Sequence, residues 1–478
     1  MRRLTSNPTV CFAGLLVLGL AGVALIGRFV GPQPSFQHEP HVGGPPSAPA
    51  AFHSNEGKTG WSVVIPEGRP LATPAIAEGK LFVGGGFGSH EFYAFDAVTG
   101  KNLWMYRTED DGPTAAVVED GYVAFNTESC ELEVLTTSGQ RVWKKRLGDP
   151  LMSMPAISQG KVYMAFPDDQ RGNQHHVACF DVKTGKEHWR SKIAGEIITA
   201  PVIDGDSVYL ATLDGTLYCF GRHDGRPAWS EKQDATSSPA VLGGGLYFSR
   251  RETVALPGVR YGVQQRECIA WRDIQQGGYY SLAFTARHAD YLDAVKRKAF
   301  SKAEQANATA DTKVGFAAAP DAAKMQQAIN NLGQSTVAGV WAYQGSRPFA
   351  YRERLYTSMG DTVQCFEPDS NQPRWTRSFT GSAGTALVDA ALTPPALANG
   401  KVFVGTRDGQ LACLSADSGD ELWHATIGEP IVFQPAVAHG RVYISTNTGR
   451  LFCIETGDEA DHGWTMWGGG PAHNGTPE

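Results

Sequence analysis

FDAVTGKNLW, Phe95 to Trp104, joins two short strands through a tight reversal. Phe95 ends the alternating run EFYAF, Asp96 and Gly100 bracket the turn, and Leu103 and Trp104 open a second run. Aspartate accepts bonds from nearby backbone amides and glycine takes positive φ, so Asp-x-x-Thr-Gly predicts a reversal between antiparallel strands. Upstream, GRPLATPAI begins at Gly68, and EGKLFVGG turns at Gly79 into a β-branched and aromatic strand. Period-two runs bounded by Gly, Asp and Pro predict four short strands between Gly68 and Trp104.

The unit recurs. A Pro-Ala-apolar step followed by Gly and an apolar-aromatic strand begins at Pro74, Pro155, Pro201, Pro239, Pro395 and Pro435. A looser copy starts at Pro113 and a degraded one at Arg347, which makes eight. A closing tryptophan keeps the same beat at Trp104, Trp143, Trp189, Trp229, Trp375 and Trp423. Four-stranded units at a period near 40 residues predict an all-β, eight-bladed β-propeller of four-stranded antiparallel blades. One blade cannot bury both faces of its sheet, so blades pack around an axis, and the tryptophans are expected as wedges at the blade junctions.

These repeats resemble the pyrroloquinoline-quinone-type (PQQ-like) propeller repeat, with its Gly-x-Val-Tyr-Val-Gly and Asp-Ala-x-Thr-Gly-x-x-x-Trp signatures. The resemblance runs from about Trp61 to Trp467. It implies the fold. It does not imply one activity, because the fold hosts dehydrogenases and non-catalytic scaffolds alike.

Composition narrows the classes. A net charge of −7 over 478 residues gives no footprint for nucleic acid. Five of the eight cysteines, Cys179, Cys219, Cys365, Cys413 and Cys453, share one repeat position, and Cys268 is expected to join them. Ala94 and Val134 fill that slot in the first two units, so it is a small buried position. Equivalent slots lie roughly 10 Å apart across packed sheets, beyond disulfide reach, so free buried thiols are expected. No CxxC or CxxCH occurs.

Arg2 and Arg3 precede an uncharged run from Val10 to Ile26. Residues 1–30 are expected to be a signal anchor, or a signal peptide if cleaved, that places the propeller outside the cytoplasm. Residues 31–60 are a Pro/Gly-rich linker in which His38, His41 and His53 are expected to be solvated rather than metal-bound. The propeller itself is expected over 61–478. Trp61 to Ile65 looks like a closing strand without its blade, and the last unit lacks one, so the two should pair and fasten the ring. The competing assignment gives the last closing strand to Trp464. The tail WTMWGGGPAHNG should pack on the ring through Trp464 and Trp467.

The rhythm breaks between Arg251 and Gln344, where RECIAWRDI keeps a trace of a third strand. Phe284 to about Thr309 and Pro320 to Gly333 have helical periodicity, which predicts a helical insertion over about 281–335. From Arg250 to Lys302 ten lysines and arginines face five acids, on a protein that is acidic as a whole. Arg287, Tyr291, Lys296, Arg297 and Lys298 are candidate partner-binding residues there.

Catalytic signals are weak. The loop FPDDQRGNQHH holds Asp168, Asp169, His175 and His176, a pattern commoner in turns than in metal sites. The glycines from Gly84 to Gly88 precede no helix and no P-loop lysine. No acid-base or metal set can be assembled, so no catalytic, cofactor or metal residue is assigned. The leading reading is a non-catalytic extracytoplasmic scaffold, a monomeric ring that binds protein partners at a membrane. It is similar to the propeller subunit of outer-membrane protein assembly machinery. One alternative is a quinone-dependent oxidoreductase, which by resemblance would hold PQQ and calcium at the ring centre. Another is a ligand- or polysaccharide-binding sensor.

Overall fold

The computed structural model describes residues 43–148, 153–168, 174–255, 263–282, 348–359, 361–368, 370, 372–379 and 392–475. They form seven four-stranded sheets and one five-stranded sheet, all antiparallel. The first blade runs Ala75–Ala77, Lys80–Gly84, Glu91–Asp96 and Asn102–Arg107, in chain order from one edge to the other. The other blades repeat this order. Their first strands approach one another. Ala75–Ala77 lies beside Val117–Glu119 on one side and Ala436–Ala438 on the other, which closes the ring around an axis lined by these short strands.

Sequential antiparallel strands fix the two sides of the ring. Turns from first to second strand and from third to fourth lie on one side, here the turn side. Hairpins from second to third strand, and the connections between blades, lie on the other, the loop side. Asp96 shows why the turns form. Its Oδ1 accepts bonds from the Thr99 amide and hydroxyl, both 2.7 Å, and Gly100 adopts φ 72°.

The eighth blade is built from both ends of the chain. Thr59–Val64 pairs with Arg450–Glu455, with Trp61 opposite Cys453. Every regular blade sets its outer-strand tryptophan opposite the small slot in this way, as with Trp189 and Cys179. Trp464 is therefore not the closing strand. It exchanges backbone bonds with Val437 on the inner edge of that blade. Ala50–His53 adds a fifth strand outside Thr59–Val64.

The turn between those two N-terminal strands reaches the seventh blade. Glu56 accepts from the Thr426 amide at 3.0 Å and its hydroxyl at 2.7 Å. Lys58 donates to Thr456 O and lies 4.2 Å from the Trp423 ring centre. Burial acts to raise the Glu56 pKa, but the bonds from Thr426 outweigh it and hold the carboxyl at about 2.

The fifth blade departs from the sequence expectation. The region after Arg251 is not irregular at once. Gly245–Ala255 and Val263–Asp273 pair over eleven rungs, from Gly245 opposite Asp273 to Ala255 opposite Val263. Tyr279–Leu282 completes the sheet, so residues 281 and 282 belong to a strand rather than to an insertion. Cys268 is also not in the small slot. Tyr247 marks that slot and faces Trp271, with ring centroids 6.0 Å apart, while Cys268 lies opposite Arg250. Counted back from the turn, the slot falls on Trp271 and not on the cysteine. The reliable marker was the turn, Asp273 to Gly277, where Asp273 Oδ1 accepts from the amides of Gln275 and Gln276.

The anchor or signal over 1–30, and the helices expected between Phe284 and Gly333, lie outside the described residues. Among the described residues no helix is long and apolar enough to cross a membrane.

Candidate functional site

The blade junctions come first, because they position everything else. Trp104, Trp143, Trp189 and Trp375 each donate an indole bond to a carbonyl in the next blade's turn. The acceptors are Thr137 at 3.2 Å, Val182 at 2.7 Å, Arg222 at 2.9 Å and Ala416 at 3.0 Å. Each ring lies so close to the turn glycine that a Cβ there would clash, at 2.8 Å for Gly139 against Trp104 and 2.4 Å for Gly225 against Trp189. Trp61 stands over Gly100 in the same way at the seam between the eighth and first blades. Trp229 and Trp423 instead lie beneath cations, Arg272 at 3.9 Å and Lys58 at 4.2 Å.

Seven cysteines among the described residues are free and buried. Burial pushes the thiols up, to about 11 for Cys179 and Cys365 and about 12 for Cys413 and Cys453. A thiol held neutral in this way is neither a nucleophile nor a ready metal ligand.

The C-terminal tail occupies the ring axis. It enters from the turn side, where Lys401 Nζ lies 2.6 Å from Asp461 Oδ1 and the Gly440 amide donates to Asp461 O. It then satisfies the inward-facing edges of several blades. Ile76 N–H donates to Thr465 O, Ile157 N–H to Pro471 O and Ile203 N–H to Ala472 O. Trp464 and Trp467 are 0% and 1% exposed, and Trp464 meets Phe349 edge-on at 5.0 Å. Both ring nitrogens of His473 face carbonyl oxygens, Trp467 O at 2.7 Å and Pro155 O at 2.9 Å. Inner strands with open backbone edges would bind stray chain, and the tail removes that liability.

A quinone with calcium would need several oxygen ligands and a base near this axis. Among the described residues that set does not come together. Asp461 is committed to Lys401 and Asn399. Among the described residues no group of three His, Cys, Asp or Glu side chains could hold a metal ion. Asp168 pairs with Arg190, and His176 packs against Phe166 with its Nδ1 3.0 Å from Gln174 O. Asp169 lies outside the described residues, as do Arg287, Tyr291, Lys296, Arg297 and Lys298.

On the loop side, acids gather between the first two blades. Asp110 accepts from the Ser129 amide, and Glu128 accepts from the Gly88 amide, which holds the glycine loop 84–88 to the second blade. Burial first, then the neighbouring Asp111 charge, pushes Glu128 well above the usual carboxylate range. Burial and Asp110 raise Asp111. Composition gave no hint of this cluster; the adjacency of two loops creates it.

The loop side also carries the longest projections. The second-to-third hairpins of the first, second, fourth, seventh and eighth blades pair over five rungs. The third-blade hairpin, Lys161–Asp168 with Gln174–Asp181, pairs over eight, and that of the fifth blade over eleven. Both rise on the same side and flank the fourth blade. The connection from Leu282 to Phe349 leaves from that side too.

Comparison with known proteins gives a consistent picture. A family profile described as "Outer membrane protein assembly factor BamB" matches residues 49–137, 128–278 and 359–473. BamB of Shewanella oneidensis is 24% identical over 245 residues, covering 45% of this chain and 60% of that protein. Lupanine 17-hydroxylase [cytochrome c] of a Pseudomonas species is 31% identical over 140 residues, covering 25% of this chain and 20% of that protein. The chain thus spans less than two thirds of these relatives. The crystal structure of BamB from Moraxella catarrhalis shares the fold, with TM-score 0.51 and 14% identity over 86% of this chain and 98% of that one.

Proposed function

This chain belongs to the family described as outer membrane protein assembly factor BamB, and from that membership we propose that it is an extracytoplasmic, non-catalytic scaffold that binds proteins during outer-membrane protein assembly. One observation carries the reading. Two lengthened hairpins, in the third and fifth blades, project from one side of a ring whose axis is filled by its own tail. A repeated ring geometry with projections of unequal length suits recognition, because rigid blades hold the loops in fixed relation. The basic segment with Arg287, Tyr291, Lys296, Arg297 and Lys298 follows the fifth blade in sequence and is proposed as part of the same surface. The ring is proposed to act as a monomer, held at the membrane by residues 1–30.

The quinone-dependent reading has support from a relative named quinohemoprotein alcohol dehydrogenase ADH-IIG of Pseudomonas putida, 26% identical over 197 residues, but among the described residues the axis does not offer the oxygen set it requires. No step is derived through that cofactor.

The test uses two full-length variants, one with residues 251–267 replaced by a short turn and one with Arg287, Lys296, Arg297 and Lys298 changed to Glu. Cross-linked envelopes are analysed by mass spectrometry for outer-membrane assembly proteins. The scaffold reading expects capture by the parent chain and loss with either variant. Equal capture by all three, or dye-linked alcohol oxidation after adding PQQ and calcium, would overturn it.

A further inference from the structure

The outer strand of the first blade, Asn102–Arg107, differs from its counterparts in the other blades. Half-buried and exposed residues alternate along it, and the exposed series reads Lys101, Leu103, Met105, Arg107. Leu103 and Met105 are each 45% exposed, and Val98 in the preceding turn is 54% exposed. These are three of the five large hydrophobics exposed among the described residues. The repeat supplies its own control. In most other blades the residues flanking the outer-strand tryptophan are small or polar, as with Ala228 and Ser230, or Arg374 and Thr376, and Val142 beside Trp143 is half-buried. Leu422 is an exposed exception, but its companion is His424.

Several outer-strand cations of other blades are tied to acids, Lys144 to Glu109 and Glu131, Arg190 to Asp168 and Arg377 to Glu421, while Lys145 bonds the Gly185 carbonyl. Lys101 and Arg107 make no ion pair among the described residues. Two free cations therefore bracket two exposed apolar chains along one strand, with the cations about 20 Å apart at strand rise.

The chain path points the same way. Tyr93, the cross-strand partner of Met105, donates to Gly44 O at 3.4 Å. Gly43 lies against Glu91, the partner of Arg107. Gly43 and Gly44 thus lie against the third strand of the first blade, next to this outer strand. We propose that the rim of the first blade, Val98 to Arg107, is a contact surface for an anionic lipid bilayer. Lys101 and Arg107 reach the headgroup phosphates, and Leu103 and Met105 enter the boundary beneath them. Short apolar chains between basic ones are the side chains that interfacial segments use, and their contact adds to any second membrane signal on the same chain. This inference goes beyond the scaffold reading and does not depend on which protein the loop side binds.

The test is hydrogen exchange on the full-length chain with vesicles of phosphatidylglycerol and phosphatidylcholine, and with phosphatidylcholine alone. Peptides covering 98–107 are followed, with 373–378 of the sixth blade as the internal control. The expected result is several-fold slower exchange over 98–107 on anionic vesicles only, with the control unmoved. The slowing should be lost in K101E/R107E and in L103N/M105N, whose changes are all at exposed positions and should leave the melting temperature unaltered. Unchanged exchange on anionic vesicles overturns the proposal. So does equal slowing on neutral vesicles, slowing without lipid as protein concentration rises, or slowing that survives both double variants.

Discussion

Replacing Trp189 tests the blade-junction argument at one defined seam. The side chain is 8% exposed, its ring covers Gly225 of the next blade, and its indole donates to Arg222 O at 2.9 Å. Trp189→Ala removes both contacts, and Gly225 cannot move inward to fill the space because its backbone is held at φ 68° by the turn. Truncating a buried tryptophan costs about 3–5 kcal/mol. Trp189→Phe keeps most of the apolar contact and loses the hydrogen bond, which costs about 1–2 kcal/mol when an acceptor is left unmet. With a urea slope of about 3 kcal/mol/M for a chain of this size, the alanine variant should lose on the order of 1 M in midpoint, and the phenylalanine variant about half or less. Urea unfolding followed by tryptophan fluorescence and far-ultraviolet circular dichroism reads both. An alanine variant within about 1 kcal/mol of the parent would refute the wedge argument. Equal losses for Phe and Ala would refute the division between ring contact and hydrogen bond.

Three further outcomes are expected. Burial and Asp111 raise the Glu128 pKa above its ordinary 4.5, so its ionisation opposes folding as pH rises past that value. Glu128→Gln should raise the melting temperature at pH 8 and leave it unchanged near pH 4; no gain at pH 8 would contradict this. Glu56 is shifted the other way, to about 2, so its contribution is complete above pH 4.5 and fades as pH falls through about 2. Glu56→Gln should therefore be less stable than the parent at pH 7, with the gap closing near pH 2 in urea-midpoint measurements. The seven buried thiols should resist Ellman's reagent in the native protein and react on unfolding, and rapid native reaction at Cys413 would show that its pocket opens.

The turn signature made most of the architecture legible. Asp96, Thr99 and Gly100 determine a local reversal whatever surrounds them, and the strands follow from counting outward. The closing strand could be read because Trp61 carries the pattern of an outer strand with no blade before it. The fifth blade misled because counting began at Cys268, whereas register is set by the turn at Asp273. A hairpin can lengthen on the loop side without disturbing that turn, and residues beyond it then slide along the sequence. Glu128, Asp110 and Asp111 were invisible for another reason. Their proximity depends on how two blades meet, and no spacing within one repeat encodes it. The tail was recognised as packing on the ring, but its place along the axis is a property of the inner edges of several blades acting together.

The eighth sheet has a temporal meaning. Residues near Trp61 are made long before their partners near Cys453. Contacts so distant in sequence form slowly, because the whole intervening chain must be gathered first. Until then the early strand waits without its neighbour, and seven blades stand as an open arc.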